Sequence, residues 1–276
     1  MTYGKFVSDT SQPVQGQEAV IPICTVDKRG RLECIGTGFF IGVYGIFVTA
    51  KHVVREVLNE DGEQILDEEE NVRFGLMTFH FIPPNSIVIR EIIKISFHGD
   101  DDVAVGTLRT MVNQKTGEPL RNKILHLTAR VPGVGERIAT WAYPNSVAEY
   151  NEKEGSLSVV PKIYEGEIED EHREGRGWGK VPGRCYQTNL GIERGASGGP
   201  VFDDEGCVFA INSTGFDGTD LAYISHVQSI GGLALPLVQT DDGKIHEKIT
   251  ISELIDRGSI KVAHIDDVRP GHRERE

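Results

Sequence analysis

Three short stretches carry residue types that do chemistry together. VTAKHVV (48–54) ends a strand-like run in small residues and places His52 directly after it. GDDDVAV (99–105) sets aspartates before an apolar strand, with Asp102 opening the strand and Asp101 its rival. GASGGP (195–200) surrounds Ser197 with very small residues and a proline. A serine hydroxyl is a weak nucleophile near neutral pH and requires a base. Histidine titrates in the right range and returns the proton to a leaving amine. A carboxylate fixes the imidazole tautomer and stabilises the imidazolium. Beside the serine, backbone N–H groups must face the developing oxyanion, and Gly195 permits the torsions this needs. Each stretch also has a plainer reading: a tight turn, a capping or surface histidine, a polar turn entering a strand. Their joint presence favours chemistry.

Composition bounds the rest. A chain of 276 residues, 38% hydrophobic and 26% charged, is long enough for one large domain or two lobes with real cores. Its 29 basic and 42 acidic residues leave a net charge of −13 and no basic stripe, which argues against nucleic acid. The acidic run NEDGEQILDEEE (59–70) reads as a solvated loop, the sharper alternative being a collar that attracts basic substrates. No apolar stretch reaches the roughly 18 residues of a membrane span. The first residues lack the pattern of a secretory signal, so the expected compartment is cytoplasmic, with no membrane association. Cys24, Cys34, Cys185 and Cys207 show no CxxC spacing, so no metal is expected. Cys24 and Cys34 flank the turn DKRG and have the spacing to face each other across a hairpin; buried free thiols are the main expectation and a disulfide the lesser one.

Many short β-type runs follow one another, separated by Gly, Asn and Asp, while helical periodicity is nearly absent. This predicts an all-β fold. The clear helix is TISELIDRG (250–258), where Thr250 and Glu253 make a capping box and Gly258 ends the turn. KHVVREVL (51–58) has the pattern of a second, short helix. The polar stretch 111–123 reads as a crossover between two β lobes, and NSVAEYNEKEG (145–155) and 165–180 as exposed loops.

The set His52, Asp102, Ser197, in that order, resembles the trypsin-like (chymotrypsin-fold) serine peptidases. TAKHVV is similar to the family's TA-x-H motif, DVAV to its D-hydrophobic-A motif, and GASGGP to its G-x-S-G-G-P motif. GTGFFI (36–41) resembles the strand before the histidine strand, and the likeness spans about residues 18–255. The resemblance implies two antiparallel six-stranded barrels with a short C-terminal helix. Residues 1–17 would be an extension, 18–128 the first barrel with His52 and Asp102, 129–258 the second with Ser197, and 259–276 a charged tail. It implies a serine endopeptidase working through an acyl-enzyme on a polypeptide substrate, without cofactor or metal. Gly195 and Ser197 N–H groups would form the oxyanion hole. Ile211, Asn212, Ser213, Thr214 and Gly215 would lie beside the bound peptide by β-augmentation. Gly191, Leu221 and Ala222 would shape the primary specificity pocket. With Gly191 at its base and Leu221 narrowing it, small or aliphatic side chains are expected, unless Asp217 or Asp220 points inward.

The departures from the family pattern also matter. Digestive and blood members carry an aspartate where this chain has Ala196, and pair it with a newly cut N-terminus. The likeness is therefore nearer to intracellular or Deg-type bacterial members, and no N-terminal cleavage is expected. Gating by a regulatory protein partner or by the loops 59–70 and 165–180 is a further expectation. Two other functions stand against the enzyme. One is a peptide-binding or regulatory scaffold with a latent or collapsed oxyanion hole. The other is an α/β-hydrolase-type esterase, for which GASGG fits G-x-S-x-G with Asp217 and His246 downstream, although that fold needs helices this sequence lacks.

Overall fold

The computed structural model describes residues 16–59, 62–63, 65, 74–82, 86–113, 116–150, 155–173, 175, 181, 183–216, 218–240 and 242–264. A single-turn helix, α1 (Gly16–Ala19), leads into strands β1 (Val20–Asp27), β2 (Leu32–Phe40) and β3 (Ile46–Thr49). The short helix α2 (Lys51–Arg55) follows, then β4 (Phe74–Ile82), β5 (Ser86–Phe97) and β6 (Ala104–Leu108). These six strands pair in the order β1-β2-β3-β6-β5-β4 and close through antiparallel pairing of β1 with β4. Closure removes the exposed edges that an open sheet would present. Its buried side chains are aliphatic and aromatic: Ile21, Ile23, Phe39, Phe47, Val48, Ile95 and Val105 are essentially inaccessible to solvent.

The chain then follows this barrel, with Asn122 N–H bonding to the Val43 carbonyl and Leu125 N–H to the Phe40 carbonyl. It leads through β7 (Leu127–Thr128) into β8 (Arg137–Ala142), β9 (Val147–Tyr150), β10 (Gly155–Ser158), β11 (Lys162–His172) and β12 (Cys185–Thr188). β13 (Pro200–Phe202), β14 (Val208–Gly215) and β15 (Ala222–His226) complete the set. Six of them form a second ring, β13-β8-β11-β12-β15-β14, closed because β13 pairs back onto β14. The fold is thus two six-stranded antiparallel barrels, as expected. Tyr143, just after β8, ties the two together: its buried hydroxyl donates to the Val20 carbonyl at 2.9 Å.

Two expectations about loops are corrected. Residues 165–172 are not loop but most of the eleven-residue strand β11, whose Tyr164 and Ile168 face the core while glutamates face water. Its charged composition conceals an alternation of period two. Within 145–155, β9 and β10 make a small hairpin of their own, packed beside β2. Most of the acidic run 59–70 lies outside the described residues.

After β15 the chain leaves the second ring. A 3₁₀ turn (Val227–Gly232) leads to a hairpin of β16 (Ala234–Gln239) and β17 (Ile245–Thr250), then helix α3 (Ile251–Asp256) and β18 (Val262–Ala263), which pairs in parallel with β7. The capping box predicted for α3 is formed by Thr250 and Glu253. Residues 227–258, expected within the second barrel, pair in neither ring. Leu235, Val238, Ile249, Ile251 and Leu254 are buried in the same cluster as the first barrel's core. Ser96 Oγ of β5 holds the Ala234 carbonyl at 2.6 Å.

Candidate active site

Helix α2 begins directly at the end of β3, so its first turn stands at the rim of the first barrel with His52 on it. The turn 98–102, which precedes β6, lies against this helix. Lys51 Nζ donates to the carbonyls of His98 and Gly99, at 2.7 and 2.8 Å. Asp102 grips His52 twice: Oδ1 accepts the His52 backbone N–H at 2.9 Å, and Oδ2 lies 2.8 Å from Nδ1. Asp101 does not join this pair; its backbone N–H donates to His98 Nδ1 at 2.9 Å. The His52 side chain is 46% exposed and that of Asp102 only 4%, so the ring is open to a ligand while its carboxylate partner is sheltered. With Nδ1–H donated to Asp102, Nε2 keeps its lone pair and is the proton acceptor of the pair.

Ser197 comes from the other barrel, in the turn entering β13. Gly195 (φ +91°) and Gly198 (φ +85°) both occupy the left-handed region that glycine tolerates best. A side chain at Gly198 would also collide with the Thr37 carbonyl, 2.1 Å from the Cβ position. The turn is held from several directions. Gly198 N–H bonds to the Asn212 carbonyl and Asn212 N–H to Gly199, while the Asn212 amide donates to Thr140 Oγ1 and the Ala196 carbonyl. The Ser197 carbonyl accepts Thr37 N–H at 2.8 Å, and Thr37 Oγ1 donates to the Gly195 carbonyl at 2.8 Å. Ala196, fully buried, packs in the second barrel's core with Ile192 and Ala222. Ser197 Oγ donates to the Ser213 carbonyl at 3.1 Å. The hydroxyl of that same Ser213 donates to Asp102 Oδ2, linking the serine's strand to the His52–Asp102 pair.

The carbonyls of this turn all point into the scaffold. Arg194 C=O accepts Asn145 N–H at 2.9 Å, and Glu193 C=O accepts Ala196 N–H. A trans peptide sets its N–H opposite its C=O, so fixing the Arg194 carbonyl toward Asn145 turns the Gly195 N–H the other way. Among the described residues, the N–H groups of Gly195 and Ser197 bond to no acceptor. The Asn145 side that sets this orientation is itself clasped. Asn145 Nδ2, Tyr164 OH and Lys162 Nζ all bond to the Glu193 carboxylate.

The residues expected to contact a bound peptide divide. Ile211 is buried core, and Asn212 uses its backbone groups on Gly198 and Gly199, so both prop the turn. Thr214 and Gly215, farther along β14, are half-buried and pair with Tyr223 and Ala222 on one edge only among the described residues. Ala222 lies inside with Ile192, but Leu221 packs outward with Phe216 against Val181, Cys185 and Tyr223. Gly191 (φ +58°) bonds through its N–H to the Asp220 carbonyl, and a Cβ there would stand 3.0 Å from Asp220 Oδ1. Asp217 lies outside the described residues. Ile192 approaches this strand closely: a Cβ on Gly215 would lie 2.4 Å from its carbonyl oxygen and 2.8 Å from its Cγ1. Sequence reading missed Ile192, Thr37 and the Ser213 hydroxyl. Thr37 left a signal, a polar residue inside the apolar run 34–41; Ile192 left none.

No curated protein matches the chain in sequence. Among solved structures, that of Deg5 superposes with a TM-score of 0.53 at 19% identity, covering 78% of this chain and 86% of its own. The active form of the Rv3671c protease from M. tuberculosis gives 0.52 at 17% identity, covering 78% of each. At such identities the likeness is one of fold. The family model for the trypsin-like peptidase domain matches residues 36–211, from the strand that carries Thr37 through the strand behind the Ser197 turn. With that match spanning more than half of the sequence, the chain belongs to the trypsin-like peptidase domain family.

Proposed function

We propose that the chain is a serine endopeptidase, with His52, Asp102 and Ser197 as its triad and the N–H groups of Gly195 and Ser197 as its oxyanion hole. The observation that carries this reading is the doubly bonded His52–Asp102 pair, joined through Ser213 to the strand that also receives the Ser197 hydroxyl. In the reaction, Ser197 Oγ leaves the Ser213 carbonyl, turns its proton to His52 Nε2 and attacks the scissile carbonyl carbon. Asp102 stabilises the imidazolium that results, and the two free N–H groups take the negative charge on the substrate oxygen. His52 then delivers the proton to the leaving amine, and water repeats the sequence on the acyl-enzyme.

The approach of Ile192 to Gly215 supports selection of a small side chain on the acyl side of the cut bond. Ala196, buried among apolar neighbours, supports a turn that needs no ion pair to a freed N-terminus. A fluorophosphonate probe on the intact chain tests both site and readiness. We expect labelling of Ser197 without prior trimming, none in Ser197→Ala, and peptide-library cleavage after small or aliphatic residues. One observation favours a second reading: at rest Ser197 Oγ is bonded to Ser213, not to His52. A latent peptide-binding scaffold would keep it there, and no labelling under any condition would decide for that reading. An α/β-hydrolase-type esterase does not fit two closed antiparallel barrels.

A further inference from the structure

The first barrel holds a thiol pair that the proposed reaction does not use. β1 and β2 pair in regular register from Val20↔Phe39 to Ile23↔Gly36, but the next pair is Cys24↔Cys34. Ile35 is therefore an extra residue, a β-bulge. Without it Cys24 would face Ile35, and the two cysteines would miss each other. With it they stand directly opposite, both as free thiols, with sulfurs 3.0 Å apart. Cys24 is fully buried, whereas Cys34 is only partly buried.

We propose that Cys24 and Cys34 form a hydroperoxide-oxidisable dithiol, a covalent modification site in which Cys34 is the attacking thiol and Cys24 the resolving one. The Cys34 sulfur attacks one peroxide oxygen and breaks the O–O bond, leaving a sulfenic acid while the other oxygen departs as alcohol or water. The Cys24 sulfur then attacks the Cys34 sulfur, forms the S–S bond and expels hydroxide, which leaves as water with the Cys24 proton. Two thiols and one hydroperoxide thus give a disulfide, an alcohol and a water. The sulfurs are oxidised and the peroxide oxygens reduced.

The roles follow from the surroundings. The hydrogen bond between the sulfurs holds Cys34 below the ordinary thiol range, against its partial burial. The same bond and deeper burial push Cys24 up, so the less buried partner carries the thiolate. The other two cysteines are poor competitors. Cys185 and Cys207 are buried, and burial pushes the Cys207 thiol up to about 12. The site is independent of whether Ser197 acts as a nucleophile.

The experiment treats the reduced full-length chain with hydrogen peroxide, then alkylates it under denaturing conditions and maps the peptides by mass spectrometry. We expect Cys24 and Cys34 to be lost from alkylation and recovered as one cross-linked peptide pair, with Cys185 and Cys207 still free. Cys24→Ser should stop at a sulfenic acid on Cys34, trapped by dimedone, while Cys34→Ser should leave Cys24 unreacted. The oxidised chain should unfold at higher urea than the reduced one, and dithiothreitol should reverse the shift. Retention of all thiols, preferential reaction at Cys185 or Cys207, or dimedone trapping at Cys24 in Cys34→Ser would overturn the proposal. The peptide map of the unsubstituted chain stands even where a variant fails to fold.

Discussion

The Ser213 hydroxyl is the smallest group with a large assigned effect. It donates to Asp102, whose other oxygen is taken by the His52 backbone, so the carboxylate faces donors on every side that the structure describes. Losing a hydrogen bond to a charged group costs about 1.5–3 kcal/mol. Ser213→Ala should therefore lower kcat about 10- to 100-fold with little change in KM, which steady-state kinetics would read. Ser197→Ala and His52→Ala should each cost on the order of a millionfold in turnover, and the double variant little more. An Asp102→Asn enzyme should be slower by about ten-thousandfold near neutral pH; activity near that of the parent would move the carboxylate role elsewhere.

Residues far from Ser197 set the response to acid. Burial holds His80 and His226 neutral, each lowered from 6.5 to about 4, with Arg90 and Arg184 respectively adding to the effect. The unfolded chain takes up these protons near pH 6.5 and the folded chain only near 4, so falling pH favours unfolding across that window. Each histidine should remove about 2 kcal/mol of stability by pH 5 relative to pH 7. Urea unfolding at the two values would show it, and His226→Gln should flatten the slope.

At the scale of elements, what the sequence discloses depends on whether a signal is local. The three motifs, the α3 capping box and the run of short strands are all contiguous, and they were legible as they stand. β11 was not, because glutamates on its wet face outnumber the core-facing Tyr164 and Ile168. Ile192 was not, because its part depends on how closely another strand's Gly215 approaches. Thr37 lies between these cases: its type was visible, but its partners sit across the interlobe boundary. Its hydroxyl donates to the Gly195 carbonyl and accepts Tyr143 N–H at 3.1 Å, so strand β2 of one barrel steadies the turn of the other. Thr37→Val should lower kcat about 10- to 100-fold while sparing KM, and Thr37→Ser should restore it. Ile192→Ala should widen the accepted side chains toward larger aliphatic ones in a peptide library. An unchanged profile would remove Ile192 from the specificity argument.

For the whole molecule, the connection between lobes is a working part. Tyr143 to Val20, Thr37 to Gly195 and Ser213 to Asp102 are all interlobe bonds, and each touches a group that orients the candidate site or its support. The return of residues 227–258 to the first barrel adds an apolar seal around Leu235, Ile249 and Leu254. Leu235→Ala should cost about 2–5 kcal/mol of stability, measurable by denaturant unfolding, although it lies in neither ring.

That return path has a practical corollary for anyone who wishes to take the protein apart. A fragment cut between the rings near residue 128 would carry away, on its C-terminal piece, the greasy hairpin and helix that cover the N-terminal piece. Each piece would then bare a surface meant for the other and clump when produced by itself. Made together in one cell, they should find each other and stay in solution as a non-covalent pair.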